Sequence, residues 1–368
     1  MVGVEGVGIN RNRHRRSGAS LFVAVCILTP LLAACGQDQA GPTGVTLVPV
    51  PAAKIQTWKW DARCQFGPEK DKACGVAGPV LGTAQLSGDE WNLGSGVAVS
   101  GSLDMSVNAT GALAVHGDFP ATPPCTSTSC LAPSAYTWVR GFPSVLYGIN
   151  QCHRSTSPRM SRLLPLPMRV SSIRSDLIAT TTYSLQKPRV TYDIAYDLWL
   201  NDSSTRTPCR TDGTLEVMVW TDYDSQALLP QSMQVATASI PFATNRAVKT
   251  GKQAWSIYAS NVYGKGRTAP WGGSLWFVLD AADRVSSGSV SVDLSSVLSA
   301  VAALLQSNYG WHSFKRSYWL DTIPFGMEFG PQDGTVTGSG SSYFSLKLSS
   351  YCLEPGTTLL DPTCAAAS

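Results

Sequence analysis

The chain has 368 residues, 28 of them Lys or Arg and 25 Asp or Glu, for a formal charge of +3; 43% are hydrophobic and only 14% charged. Its 11 Trp, 12 Tyr and 10 Phe supply a packed core and exclude a charge-solvated, disordered chain. So small a positive excess, with no basic run interleaved with aromatics beyond the N-terminus, argues against nucleic acid as a partner.

The N-terminus opens with Arg11, Arg13, His14, Arg15 and Arg16, followed by the apolar run LFVAVCILTPLLAA at 21–34. Interrupted by Pro30, the run is shorter than the ~20 helical residues that a bilayer span needs. It fits the charged and apolar regions of an export signal. The segment closes on Leu32, Ala33, Ala34, Cys35 and Gly36, which resembles the lipobox of bacterial lipoproteins, with Cys35 as the lipid-bearing first residue of the mature chain. The alternative is an ordinary cleaved secretory signal. Both readings place the protein outside the cytoplasm, membrane-anchored in the first and secreted in the second. Removing residues 1–34 takes away four basic residues and Glu5, so the mature chain carries 24 residues of each sign and is formally neutral.

Without Cys26 and a lipidated Cys35, the cysteines that remain are Cys64, Cys74, Cys125, Cys130, Cys152, Cys209, Cys352 and Cys364. An even set in an exported chain reads as disulfides, although eight cysteines permit 105 pairings. Short separations suggest Cys64 with Cys74, Cys125 with Cys130 and Cys352 with Cys364, leaving Cys152 for Cys209. No His lies at ligand spacing from them, and no metal or other cofactor is expected.

Residues 36–53 (GQDQAGPTGVTLVPVPAA) are rich in Gly, Pro and small side chains without periodicity, as in a flexible tether. One folded domain is expected over 54–368, with neither an internal repeat nor a second linker. Short runs rich in β-branched and aromatic residues, bounded by turn formers, predict strands at 103–107, 113–116, 170–173, 177–183, 190–200, 215–220, 233–240, 253–258, 275–279, 323–329 and 343–348. One segment, 294–308, reads as a helix, with Leu294, Val297, Leu298, Val301, Leu304 and Leu305 at three- and four-residue steps. Asp293 is its candidate N-cap and Gly310 its stop. The expected fold is all-β: a two-layer sandwich or jelly roll with one packed helix.

Alternation within strands shows which side chains share a face. In TYDIAYDLWL (191–200), Tyr192, Ile194, Tyr196, Leu198 and Leu200 form an apolar face, while Asp193, Ala195, Asp197 and Trp199 form the other. In LEVMVW (215–220), Glu216 shares its face with Met218 and Trp220, unusual company for a solvated carboxylate. A second carboxylate, Glu328, lies in the apolar run IPFGMEFG (323–330), where Gly326 and Gly330 leave room for another group to approach. Two carboxylates in aromatic surroundings suit glycoside hydrolysis. One attacks the anomeric carbon or activates water, and the other protonates the leaving oxygen. Desolvation and a like-charged neighbour let that acid hold its proton near neutrality.

Taken in order, YDLWL (196–200), EVMVW (216–220), WSIY (255–258) and YWLDTIPFGMEFG (318–330) resemble the signatures of glycoside hydrolase family 12, endoglucanases of β-jelly-roll, concanavalin-like fold. GFPSVLYG (141–148) is similar to a further family segment, with Phe142 in place of a tyrosine. The resemblance implies Glu216 as nucleophile, Glu328 as acid/base and Asp197 as the residue that orders the nucleophile. It also implies a substrate cleft on the concave sheet and a retaining reaction, for which the two carboxyls stand about 5–5.5 Å apart.

The family's early sugar-stacking Trp has a loose counterpart in Trp91, and its Pro-Ile-Gly loop appears only as Leu229, Pro230 and Gln231. Met218, Trp220, Trp199 and Trp138 are further candidates for substrate contact; Trp271 and Trp311, like Trp138, could line the cleft, but a Trp in a sheet protein is more often core or rim. The expected partner is a β-glucan met by a monomer, with cellulose, mixed-linkage glucan and xyloglucan as possible substrates. The competing readings are a xyloglucan-specific endoglucanase, a xylanase of the related jelly-roll family and a glucan-binding surface lipoprotein without activity. Zinc hydrolysis, a serine nucleophile elbow and a phosphate-binding loop find no support in the motifs.

Overall fold

In a computed structural model, residues 55–59, 80–81, 84–87, 102–107, 113–120, 139, 141–149, 164–186, 190–205, 213–244, 251–262, 273–330 and 341–355 are described, and before residue 139 only their backbone. Cys35, the tether, Trp91, Trp138, Trp271 and all the candidate disulfide cysteines except Cys352 lie outside these residues. Cys352 is fully buried and disulfide-bonded.

The strands are β1 (Ile55–Lys59), β2 (Val80–Leu81), β3 (Ala84–Ser87), β4 (Ser102–Val107), β5 (Leu113–Pro120), β6 (Ser144–Gly148), β7 (Met168–Arg169) and β8 (Leu177–Gln186). They continue with β9 (Thr191–Asn201), β10 (Thr214–Tyr223), β11 (Gln234–Thr244), β12 (Gly251–Ser260), β13 (Ser274–Leu279), β14 (Ser287–Asp293), β15 (Trp319–Gly330) and β16 (Ser341–Pro355). One hydrogen-bonded path runs β1-β4-β5-β16-β8-β14-β11-β12-β13-β10-β9-β15-β6-β3-β2, with β7 on the start of β15.

The path folds over at β11. The C-terminal end of that strand, Phe242 to Thr244, pairs with β14, whereas Gln234 to Phe242 pair with β12. This gives two layers, β1-β4-β5-β16-β8-β14 behind and β12-β13-β10-β9-β15-β6-β3-β2 in front. Ile194, Tyr196, Leu198, Val217, Phe325 and Phe329 of the front layer join Ala179, Tyr183, Phe344 and Tyr351 of the back layer in one core. Burying each such aliphatic or aromatic side chain contributes about 1.5–3 kcal/mol. Across the layers, Tyr183 meets Phe325 at 5.5 Å and Phe329 meets Phe344 at 4.8 Å between ring centroids. Three tyrosine hydroxyls also bridge the layers: Tyr196 with Thr181 at 2.7 Å, Tyr183 with Thr221 at 3.2 Å, and Tyr351 donating to the Ile323 carbonyl. Each satisfies a polar group that burial would otherwise strand.

Helix α1 (Leu294–Tyr309) forms where the periodicity predicts. Asp293 accepts from the Ser296 amide at 3.1 Å, and Gly310 at φ 72° ends the helix. Its apolar stripe is buried against β8 and β11. A one-turn helix α2 (Phe314–Ser317) follows.

Two expectations are corrected here. Residues 170–173 are not a strand but a 3-10 turn over Val170–Ser172; Ser171 and Ser172 are exposed, and the turn is anchored by the Val170 amide to the Tyr318 carbonyl at 3.0 Å and by Ile173 packed against the core. Residues 287–293, not predicted as a strand, form β14, since SGSVSVD alternates Val against small polar residues that a paired strand accepts.

Candidate active site

The face of the front layer turned away from the core holds the residues that the alternation of β9 and β10 set apart. Their rows follow from strand register. Trp199, Glu216 and Ser274 are Cα partners across β9, β10 and β13. The next row is Asp197, Met218, Trp276 and Tyr258. Then come Gly326, Ala195, Trp220 and Val278, and finally Glu328, Asp193 and Tyr223. Glu216 and Glu328 therefore stand at opposite ends of a floor two rows deep.

Six residues of β9 separate their registers, about 20 Å along a straight strand. Bulges at Trp220/Asp222 and Leu320/Thr322 bend the strands locally and increase their twist. Asp193 feels the charges of Glu328, Asp197 and Glu216 together, which places all four carboxyls in one electrostatic cluster.

The cluster is dry: Glu216 is 5% exposed, Asp197 6%, Glu328 4% and Asp193 0%. Ser274 Oγ donates to Glu216 Oε2, and the Glu216 amide donates to the Gly273 carbonyl at 3.2 Å. Gly273 makes this possible at φ 84°, where a Cβ would come within 2.8 Å of the Asn261 and Ser260 backbone. Trp199 Nε1 donates to Asp197 Oδ2 at 2.6 Å, a short bond that fixes the carboxyl against the indole. Trp276 Nε1 donates to Met218 Sδ at 3.2 Å, fixing both side chains in the floor.

At the other end, burial first and the neighbouring Glu328 next hold the Asp193 carboxyl well above the usual carboxylate range. Gly326, between Glu328 and the floor, is needed for a backbone contact: a Cβ there would lie 2.4 Å from the Pro143 carbonyl oxygen. The group that approaches this glycine is thus the chain leading into β6.

Of the candidates for substrate contact, Met218 and Trp199 lie in the floor at 2% and 3% exposure. Trp220 is fully buried, with Tyr223 6.1 Å away between centroids and Ala227 and Leu229 in the same apolar cluster. The segment after β10 thus packs onto this face, and Leu229 is its buried anchor. Trp311 stacks on Tyr318 at 5.7 Å beside the core, a rim position. Sequence reasoning did not select Ser274, Trp276, Tyr258 or Tyr223, although alternation in SLWFVL (274–279) carries the signal for the first two.

A two-layer β fold that sets two buried glutamates on one face with aromatic side chains between them suits a glycoside hydrolase. The model of glycosyl hydrolase family 12 matches residues 104–347, and the chain belongs to that family. Among solved structures, it is similar to a family 12 xyloglucanase from Bacillus licheniformis in complex with ligand, at 16% identity and TM-score 0.50, covering 82% of this chain and 99% of that one. It is also similar to endoglucanase 3 of Trichoderma harzianum, at 16% identity and TM-score 0.48, covering 83% and 99%. No curated protein matches.

Proposed function

We propose that the protein is a retaining, endo-acting β-1,4-glucan hydrolase, exported and anchored through a lipid on Cys35. Glu216 attacks the anomeric carbon while Glu328 gives its proton to the leaving glycosidic oxygen, forming a covalent glycosyl-enzyme. Water then releases the sugar, with Glu328 taking the water's proton and Glu216 departing as carboxylate. Asp197, one row from Glu216 and tied to Trp199, holds the nucleophile's surroundings in place.

The observation that carries this reading is a pair of buried glutamates, Glu216 and Glu328, on one face of the front layer, both acting electrostatically on Asp193 in the strand between them. A neutral mature chain suits an uncharged polysaccharide, gripped by stacking and hydroxyl hydrogen bonds. Product analysis on a cellulose derivative, mixed-linkage glucan, xyloglucan and xylan tests it. Oligosaccharides of retained anomeric configuration from the first two are expected, and no product from any substrate would leave the glucan-binding reading. Preference for xyloglucan is the second reading, favoured by the fold shared with the Bacillus licheniformis xyloglucanase.

A further inference from the structure

Asp193 is the acidic residue on the site face to which the proposed reaction gives no part. It is the Cα partner of Glu328 on one side and of Tyr223 on the other. It is fully buried, and neither carboxyl oxygen makes a hydrogen bond of normal geometry. The groups acting on it are Glu328 from β15, Asp197 from its own strand and Glu216 from β10. The facing Tyr223 hydroxyl is committed to the Leu279 carbonyl at 3.0 Å, and Arg284 lies over the far ring, 4.7 Å from its centroid. An ionised Asp193 would face another carboxyl group with two acceptor oxygens of its own, and would have no partner of normal geometry on either of its oxygens. A buried ionised group left so is costly, and a proton on one of the two carboxyls supplies the missing donor.

We propose that Asp193 is a positioning residue for Glu328: in its protonated form it donates a hydrogen bond to Glu328, leaving the Glu328 proton directed at the glycosidic oxygen. This rests on the role proposed for Glu328 above. In the first step the Glu328 proton passes to the leaving oxygen, and the new Glu328 carboxylate is met by the Asp193 O–H. In the second step Glu328 recovers a proton from the attacking water, so the Asp193 proton is never consumed. Once Asp193 is ionised it becomes an acceptor, and the Glu328 proton is drawn towards it and away from the substrate. The alkaline limb of activity then follows Asp193. An asparagine at this position has the same shape and donates from its amide at every pH.

The test is the pH profile of kcat/KM for wild type, Asp193→Asn and Asp193→Ala on soluble β-glucan. Asp193→Asn is expected to keep its maximal rate within a few-fold, with the alkaline limb displaced upward by about one unit or more, the scale of one carboxyl's interaction. Asp193→Ala is expected to lose about 100-fold or more in kcat, the low end of what acid–base assistance contributes, with KM little changed. An unmoved limb in Asp193→Asn overturns the proposal, as does wild-type kcat in a folded Asp193→Ala; the isosteric variant decides if the alanine variant does not fold. A second arm needs no turnover: the infrared difference between wild type and Asp193→Asn at pH 5 should show a protonated carboxyl band present only in wild type, and its absence overturns the proposal. Wild type without activity on any glucan, but with that band, would sink the functional reading and leave the proton on Asp193 standing.

Discussion

Ser274 and Glu216 are Cα partners in the parallel pairing of β10 with β13, and the serine hydroxyl donates to the glutamate's Oε2. The bond gives the buried carboxylate a fixed orientation. Removing the donor deletes a hydrogen bond to a charged group, worth about 1.5–3 kcal/mol. Ser274→Ala should lower kcat/KM by about 10- to 100-fold, by the tenfold per 1.4 kcal/mol relation. Wild-type kinetics would remove Ser274 from the site's machinery.

Glu216 and Glu328 should separate by leaving group. If Glu328 is the acid proposed, Glu328→Ala removes protonation of the departing oxygen, so hydrolysis of polysaccharide should fall by about 10²–10⁴-fold, the usual contribution of a general acid. An aryl cellobioside with a good leaving group needs no such proton, and its glycosylation step should be nearly unimpaired. Glu216→Gln should be inactive on both substrates with its circular dichroism unchanged. Substantial activity of Glu216→Gln on soluble β-glucan would contradict its assignment.

Gly326→Ala places a Cβ 2.4 Å from the Pro143 carbonyl oxygen and 2.7 Å from Ser144 Cβ. Backbone on one side leaves little to give way, and overpacking of this kind costs about 1–3 kcal/mol. The urea midpoint should drop accordingly, with activity falling as well because β6 braces the strand that carries Glu328. An unchanged midpoint would mean that β6 shifts freely.

Asp321 is buried and accepts from Asn201 Nδ2; burial raises its carboxyl to about 7, against a weaker lowering by that bond. Asp222, also raised by burial, titrates at about 6. A carboxyl with a raised folded-state pKa binds more protons folded than unfolded between its two pKa values. Their contribution to stability should therefore fall as pH rises from about 4 to 7. Asp321→Asn should flatten that slope and be more stable than wild type at pH 8, read by chemical denaturation. An identical slope in the variant would clear Asp321 of the effect.

Much of this was legible in the sequence where a local rule decided the outcome. The spacing of Leu294 to Leu305 gave α1 its place, Asp293 its start and Gly310 its end. Period-two alternation put Asp193, Asp197, Glu216 and Met218 on one face before any register was known. What stayed hidden depended on pairings between distant segments. That Ser274 would reach Glu216 follows only from a parallel pairing across 58 residues, and that Asp193 would face Glu328 follows from the register of β9 with β15. Strand β14 escaped notice because its small polar residues gain strand character only from its partners β8 and β11.

The three hydroxyl bridges between the layers fall one on each strand that bears a site carboxyl: Tyr196 on β9, Thr221 on β10 and the Ile323 carbonyl on β15. A greasy interface alone has no preferred sliding position, since apolar contacts can be exchanged for one another at little cost. These directional bonds act as dowels. They lock each of the three strands lengthwise against the back sheet, so the alignment of the carboxylates across the cleft is machined from behind, by side chains that never meet the polysaccharide.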